Sequence, residues 1–174
     1  MKGQGKTTHL RKLLNSERRL IVIDPKKQFR GDGLVLTSAD DLLSYFEKFN
    51  PQTFRCVCRF RDDKEFSQTE TALALAYELH DLTVCVDEVD MICTPYNMIP
   101  SLWNIVNYGR NDGINLYTSA RRAAAISITL RAEADEVVTF RVEEPADWDY
   151  LQKRGFNIDV VKNLEKFHYI SNKP

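Results

Sequence analysis

Two short runs hold residues whose types and spacing can do chemistry. The first is Gly3-Gln4-Gly5-Lys6-Thr7-Thr8. Glycines let successive backbone N–H groups turn inward around an anion, because they reach the required dihedrals at little cost. A helix that opens there adds the positive end of its dipole. Lys6 supplies a mobile point charge for the β- and γ-phosphates of a nucleotide, and the Thr7 hydroxyl is a ligand type for Mg²⁺. Gly3, Gln4, Gly5, Lys6, Thr7 and Thr8 are therefore the candidate nucleotide-binding residues. The second run is Asp87-Glu88, which ends the apolar stretch Leu82-Thr83-Val84-Cys85-Val86. A buried strand that delivers two carboxylates at its C-terminal edge puts them where ligands sit in open α/β sheets. Asp87 is read as holding the Mg²⁺ shell together with Thr7, and Glu88 as polarising an attacking water. Asp90 reads as a loop residue or cap.

The phosphate-loop pattern G-x-x-x-x-G-K-[ST] asks for a further glycine five places before Gly5, fed by an apolar strand. Both fall ahead of Met1, so the reading expects polypeptide upstream of this sequence.

The elements that must position these runs follow from periodicity. Residues 7–15 read as a helix with Leu10, Leu13 and Leu14 on one face. Residues 19–24 form an apolar strand stopped by Pro25, and 33–36 a short one. Ser38 caps a helix over 39–49, and 53–60 alternate as a strand. Helices are expected over 65–79 and 98–108, and strands over 82–86, 114–118 and 136–142. Helices near 145–153 and 157–164 and a strand over 167–170 close the chain. A strand that is apolar throughout, such as 82–86, fits a parallel sheet covered on both faces. Strands alternating with helices predict a three-layer α/β fold in one continuous domain over 1–174.

Composition narrows the rest. A chain of 174 residues can bury one core, and 43% hydrophobic with 28% charged residues describes an ordinary globular protein. Lys+Arg of 24 against Asp+Glu of 25 gives a net charge of −1, so any nucleic-acid contact has to be local. No apolar run reaches the length of a membrane span, and the N-terminus does not read as a signal peptide. Cys56, Cys58, Cys85 and Cys93 are scattered without a second pair at zinc spacing, and read as reduced, buried thiols. His9, His80 and His168 have no partners at ligand spacing. Trp103 and Trp148 read as core or interface anchors.

Three runs carry a family resemblance: Val22-Ile23-Asp24-Pro25-Lys26, then Val84-Cys85-Val86-Asp87-Glu88-Val89-Asp90, then Tyr108-Gly109-Arg110-Asn111-Asp112-Gly113-Ile114-Asn115-Leu116 leading into Thr118-Ser119-Ala120-Arg121-Arg122. Over residues 3–150 the chain resembles the FtsK–HerA group of DNA-pumping P-loop ATPases, and within it the genome-packaging ATPases of viruses with an internal membrane. The zonular-occludens-toxin-like ATPases of filamentous phage assembly are similar. The resemblance implies a RecA-like P-loop NTPase fold with a mainly parallel central sheet, ATP and Mg²⁺ as cofactors, and a ring homo-oligomer acting on double-stranded DNA without sequence choice. It further implies a capsid or membrane-vertex partner, and a place in the host cytoplasm or the virion. Lys6 and Thr7 would hold phosphate and metal, Asp87 the metal, and Glu88 the water. The family usually carries a glutamine at the end of the strand that closes at Thr118. Here that place falls to Ser119 or Ala120, and Thr118 or Ser119 can hydrogen-bond a phosphate only more weakly.

A ring pump also needs a guanidinium from the neighbouring subunit to stabilise transition-state charge. Arg110 is the first candidate for this catalytic role, followed by Arg121, Arg122 and Arg141. Each could instead be a solvated arginine or pair with Glu133, Glu143 or Glu144. For DNA phosphates the candidates are Lys26, Lys27, Arg30, Arg59 and Arg61. Three other readings remain open: a filamentous-phage assembly or secretion ATPase with a membrane partner, a nucleoside or nucleotide kinase, with Arg59-Phe60-Arg61 as a small lid, and a P-loop subunit that only binds or scaffolds.

Overall fold

A computed structural model describes residues 5–172. Helix α1 (Lys6–Leu13) leads into strand β1 (Arg19–Ile23) and, through a loop, into β2 (Leu34–Leu36). Helix α2 (Ala39–Phe49), strand β3 (Phe54–Cys58), helix α3 (Ser67–Leu79) and strand β4 (Thr83–Val86) follow. A small hairpin, β5 (Cys93–Thr94) and β6 (Asn97–Met98), precedes helix α4 (Pro100–Tyr108) and strand β7 (Asn115–Thr118). The C-terminal part carries α5 (Ile128–Ala132), β8 (Val138–Thr139), α6 (Pro145–Lys153), α7 (Ile158–Lys162) and β9 (Ile170–Ser171).

Five strands make one all-parallel sheet in the order β2-β3-β1-β4-β7. The alternation of side chains along these strands sets the layers. Leu20, Val22, Val57 and Cys85 pack with Leu10 and Leu14, so α1 covers one face. Ile21, Ile23, Cys56, Cys58, Val84 and Val86 pack with Leu42, Phe46, Leu73, Ala76, Leu102 and Ile105, so α2, α3 and α4 cover the other. Both faces are dry, which is why β1 and β4 are apolar almost throughout rather than alternating. The fold is the three-layer RecA-like P-loop NTPase fold with a parallel sheet. The Ser38 cap is present as read: its Oγ accepts the Asp41 N–H at 3.1 Å.

Several boundaries differ from the sequence reading. Glu65 and Phe66 take left-handed φ of 53° and 59°, so α3 starts at Ser67 behind a separate single turn. Residues 136–142 alternate like a sheet strand, yet only Val138–Thr139 pair, and they pair with β9 in a separate two-stranded ribbon. Phe167, at φ 71°, interrupts the extended run expected over 167–170, and pairing begins at Ile170. Leu151, Phe156 and Val161 give this C-terminal part its own small core.

Strand β7 is one of the two edge strands of the sheet among the described residues, β2 being the other. Asn115 and Ser119 donate their N–H groups inward, to Leu82 and Val86. The alternation of a parallel ladder therefore turns the main-chain groups of Leu116 and Thr118 outward. Beside them runs a cleft of about 660 Å³, lined by Leu10 and Leu13 of α1, by Leu116 and Leu130, and by Val138 and Phe140. Among the described residues no helix is long and apolar enough to cross a membrane.

Candidate functional site

Helix α1 begins where the sequence reading placed a phosphate-binding mouth. Gly5 sits at its N-cap with φ 105°, a backbone shape that side-chain-bearing residues rarely adopt, and a Cβ there would press on Phe167 and Phe140 at 3.2 and 3.3 Å. Among the described residues no side chain caps the helix, and its first turn holds no acidic residue. Its leading N–H groups and positive dipole end are thus open to an anion. Lys6 and Thr7 lie in this first turn and Thr8 is exposed beside them. Gly3 and Gln4 lie outside the described residues. The Thr7 hydroxyl donates to Gln28 Oε1 at 2.9 Å.

At the C-terminal end of β4, Asp87 is only 2% exposed. Its N–H donates to Ile23 O at 3.0 Å, which continues the β1–β4 ladder by one step. Its Oδ1 accepts the Ser119 hydroxyl at 2.5 Å, while Oδ2 is buried without a hydrogen-bond partner among the described residues. Burial raises the Asp87 carboxyl above the usual carboxylate range, with Asp24 and Glu88 adding to the rise; the Ser119 hydrogen bond and the charge of Lys6 oppose it. The loop after β1 touches both runs, with Gln28 on Thr7 and Lys26 beside Glu88.

Glu88 follows in the left-handed region, at φ 54° and ψ 54°. For a residue with a side chain this costs on the order of 1–3 kcal/mol, and such strain gathers where a structure holds a group in a working position. Glu88 Oε2, buried and without a hydrogen-bond partner among the described residues, lies 4.0 Å from Lys26 Nζ.

The loop after β1 closes the near side of the site and hangs on one residue. Asp24 is fully buried and accepts from the N–H groups of Gln28 and Phe29 at 2.8 and 3.1 Å and from Arg59 Nε at 2.8 Å. Arg59 spends a second nitrogen on Phe29 O at 2.8 Å. Arg59, read as a DNA candidate, is therefore turned inward as the counter-ion of Asp24. Lys26, Lys27, Arg30 and Arg61 are exposed, as a phosphate-contacting surface requires. Gln28 was not foreseen: a glutamine in a polar loop carries no sequence signal, and its contact with Thr7 exists only because Asp24 folds the loop back.

The arginines distribute differently from the nucleotide residues. Arg110 lies in the turn before β7, at the opposite edge of the sheet from Asp87, and its exposed guanidinium pairs with Asp135. It shares the lining of the β7 cleft with Lys6, but lies at the other end of the parallel strands from Asp87 and Glu88. Arg121 pairs with Asp90 at 2.9 Å. Arg122 and Arg141 pair with Glu144 and Glu143, at 3.3 and 3.0 Å. All four cysteines are buried and free, and burial pushes the Cys56 thiol up to about 11.

The comparisons with known proteins bear on this arrangement. No family model and no curated protein matches the sequence. Solved structures do match: the genome packaging NTPase B204 of Sulfolobus turreted icosahedral virus 2 in complex with ATP-gammaS superposes with a TM-score of 0.74 at 18% identity. That match covers 98% of this chain and 86% of that one. The same protein in complex with AMPPCP gives 0.72 at 17% identity, over 98% and 87%. B204 of Sulfolobus turreted icosahedral virus, described as a DNA-packaging ATPase, also gives 0.72 at 17%, over 98% and 87%. The likeness in fold agrees with the resemblance drawn from the three residue runs.

Proposed function

We propose that this chain hydrolyses ATP with Mg²⁺ and couples the reaction to movement of double-stranded DNA, as the packaging motor of a virus. The observation that carries the reading is the buried Oδ2 of Asp87, unpaired among the described residues, on a carboxylate that the charge of Lys6 reaches. A buried carboxylate oxygen without a donor is costly unless a cation completes it. Thr7 Oγ1 and Asp87 Oδ2 are the atoms that fit a Mg²⁺ ion, once the hydroxyl turns from Gln28. Bound there, the ion would neutralise charge on the phosphates. The N–H groups of α1 and Lys6 would hold the β- and γ-phosphates. Glu88, projecting from its strained position, would orient a water and take its proton. Arg110 would serve a neighbouring subunit of a ring rather than its own site, and exposed Lys26, Lys27, Arg30 and Arg61 would meet DNA phosphates.

The position of Arg59 favours hydrolysis over a kinase. A lid arginine has to be free to close over a phosphoryl donor, and this one is bound to Asp24 and Phe29. The same reading gives the cleft beside β7 an occupant. A strand lying parallel to β7 would leave the sheet at its C-terminal edge, where Gly5 opens α1. The cleft therefore suits the strand that feeds a phosphate loop.

The test is ATP turnover with Mg²⁺, with and without double-stranded DNA, for wild type and Glu88→Gln. DNA-stimulated turnover that the substitution abolishes while ATP still binds supports the motor. Turnover by Glu88→Gln at the wild-type rate would remove Glu88 from its role, and phosphate transfer to a nucleoside would favour the kinase.

A further inference from the structure

Ser119 is one of the two residues at the place where the resemblance implies a glutamine that reads the γ-phosphate, and it is occupied with something else. Four consecutive residues at the end of β4 bond to this one serine. Its N–H donates to Val86 O at 3.1 Å and its carbonyl accepts the Val89 N–H at 2.8 Å. Its hydroxyl donates to Asp87 Oδ1 at 2.5 Å and accepts the Glu88 N–H at 3.0 Å. The serine is 7% exposed, so these bonds are sheltered from water.

The hydroxyl has one proton, and Asp87 holds it. Its lone pair takes the Glu88 N–H, so neither side of the group is left for a phosphate. Two consequences follow from this geometry. Asp87 is fixed by one oxygen, which leaves Oδ2 as the one free to ligate. Glu88 is tied by its own N–H and by that of Val89, which pins the backbone in the left-handed turn that projects its carboxylate.

Resting on the nucleotide–metal reading of the site, we propose that Ser119 is a positioning residue. It sets the metal-binding oxygen of Asp87 and the reach of Glu88 through one hydroxyl, and so takes the place of a phosphate sensor. A longer side chain that reached the phosphate would give up both bonds. The two carboxylates are thereby coupled: whatever moves the end of β7 moves the metal ligand and the water-orienting group together.

The experiment titrates Mn²⁺, a spectroscopic substitute for Mg²⁺, into the protein with AMPPCP by electron paramagnetic resonance, beside steady-state ATP turnover. Ser119→Ala deletes both side-chain bonds and leaves the two main-chain bonds in place. It should weaken Mn²⁺ by about 10–100-fold, the usual cost of losing a group that orients a metal ligand. Turnover should fall with it, while nucleotide affinity measured without metal stays unchanged. Ser119→Thr, which keeps the hydroxyl, should restore both. Ser119→Cys, close to serine in size and a poor donor, should follow the alanine variant and guards against a mere packing effect. Unchanged Mn²⁺ affinity in Ser119→Ala or Ser119→Cys overturns the proposal. A loss of metal-free nucleotide binding in the alanine variant overturns it too, because that marks direct phosphate contact. Wild-type protein that binds no Mn²⁺ with AMPPCP would instead sink the metal site itself, and the positioning role with it.

Discussion

Removing the Asp24 carboxylate tests the fold and the site together. Asp24→Ala leaves three donors without an acceptor: the N–H groups of Gln28 and Phe29, and Arg59 Nε. Phe29 is 1% exposed, so its N–H has no ready access to water. The Arg59 side chain is 16% exposed, so part of its charge can be rehydrated. Breaking a buried ion pair from one side costs about 3–5 kcal/mol, and the partial exposure of Arg59 places this case at the lower end. Domains are stable by only about 5–15 kcal/mol, so the loss is a large share of the total. At about 2–4 °C per kcal/mol for a chain of this size, the melting temperature should fall by roughly 6–12 °C. Urea denaturation followed by circular dichroism gives the free energy directly, with the slope checked for a change in the unfolded state. The double variant Asp24→Ala/Arg59→Met should recover part of the loss, because the stranded charge goes with its partner. The loop effect is separable: with Gln28 released from Thr7, the single variant should still bind nucleotide wherever it remains folded. A loss below about 1 kcal/mol would refute the assignment of Asp24 as the anchor of this loop.

Other expectations follow from single sites. Asp87→Asn should raise the melting temperature of the metal-free protein at neutral pH and abolish Mg²⁺-dependent turnover. The sign follows from the raised folded-state pKa: the wild type is relatively stabilised below the ordinary aspartate range and loses that stability as pH rises through the raised value, whereas asparagine does not titrate. His9 packs against Tyr169 at 4.3 Å between ring centres, and its pKa is lowered, chiefly by burial. Its stabilising contribution is present above pH 6.5 and lost as pH falls through the lowered value, so melting scans from pH 7.5 to 5.5 should show a smaller decline for His9→Phe. Lys6→Ala should weaken binding of ATP itself, measured by fluorescent-nucleotide titration, rather than turnover alone. The four buried thiols should resist Ellman's reagent in native protein and react on unfolding, and fast labelling of Cys56 in the folded state would contradict its place in the sheet.

Much of the fold was legible because its signals are local. Leu10 and Leu14 share one helical face, Ser38 caps a helix, and β1 and β4 are apolar throughout because two layers of helices dry them. The acidic pair at the end of β4 and the Lys6–Thr7 mouth were legible for the same reason: each is a short run whose residue types have few other uses together. The tail was not. Residues 136–142 alternate like a strand of the main sheet, but alternation gives a period and not a partner, and the pairing went to β9. The turn at Glu65–Phe66 depends on dihedrals that no residue type there demands.

The sequence by itself determined the layers and the placement of two runs, at the start of α1 and the end of β4, because hydrophobic period and residue type act within a few residues. Only the tertiary structure decided which side chains those runs would meet. It turned Arg59 inward to Asp24, set Gln28 on Thr7, sent Arg110 to the far edge of the sheet, and gave Ser119 both carboxylate neighbours. Each of these contacts joins positions at least 20 residues apart. Their partners are chosen by strand order and loop path, which are properties of the packed chain.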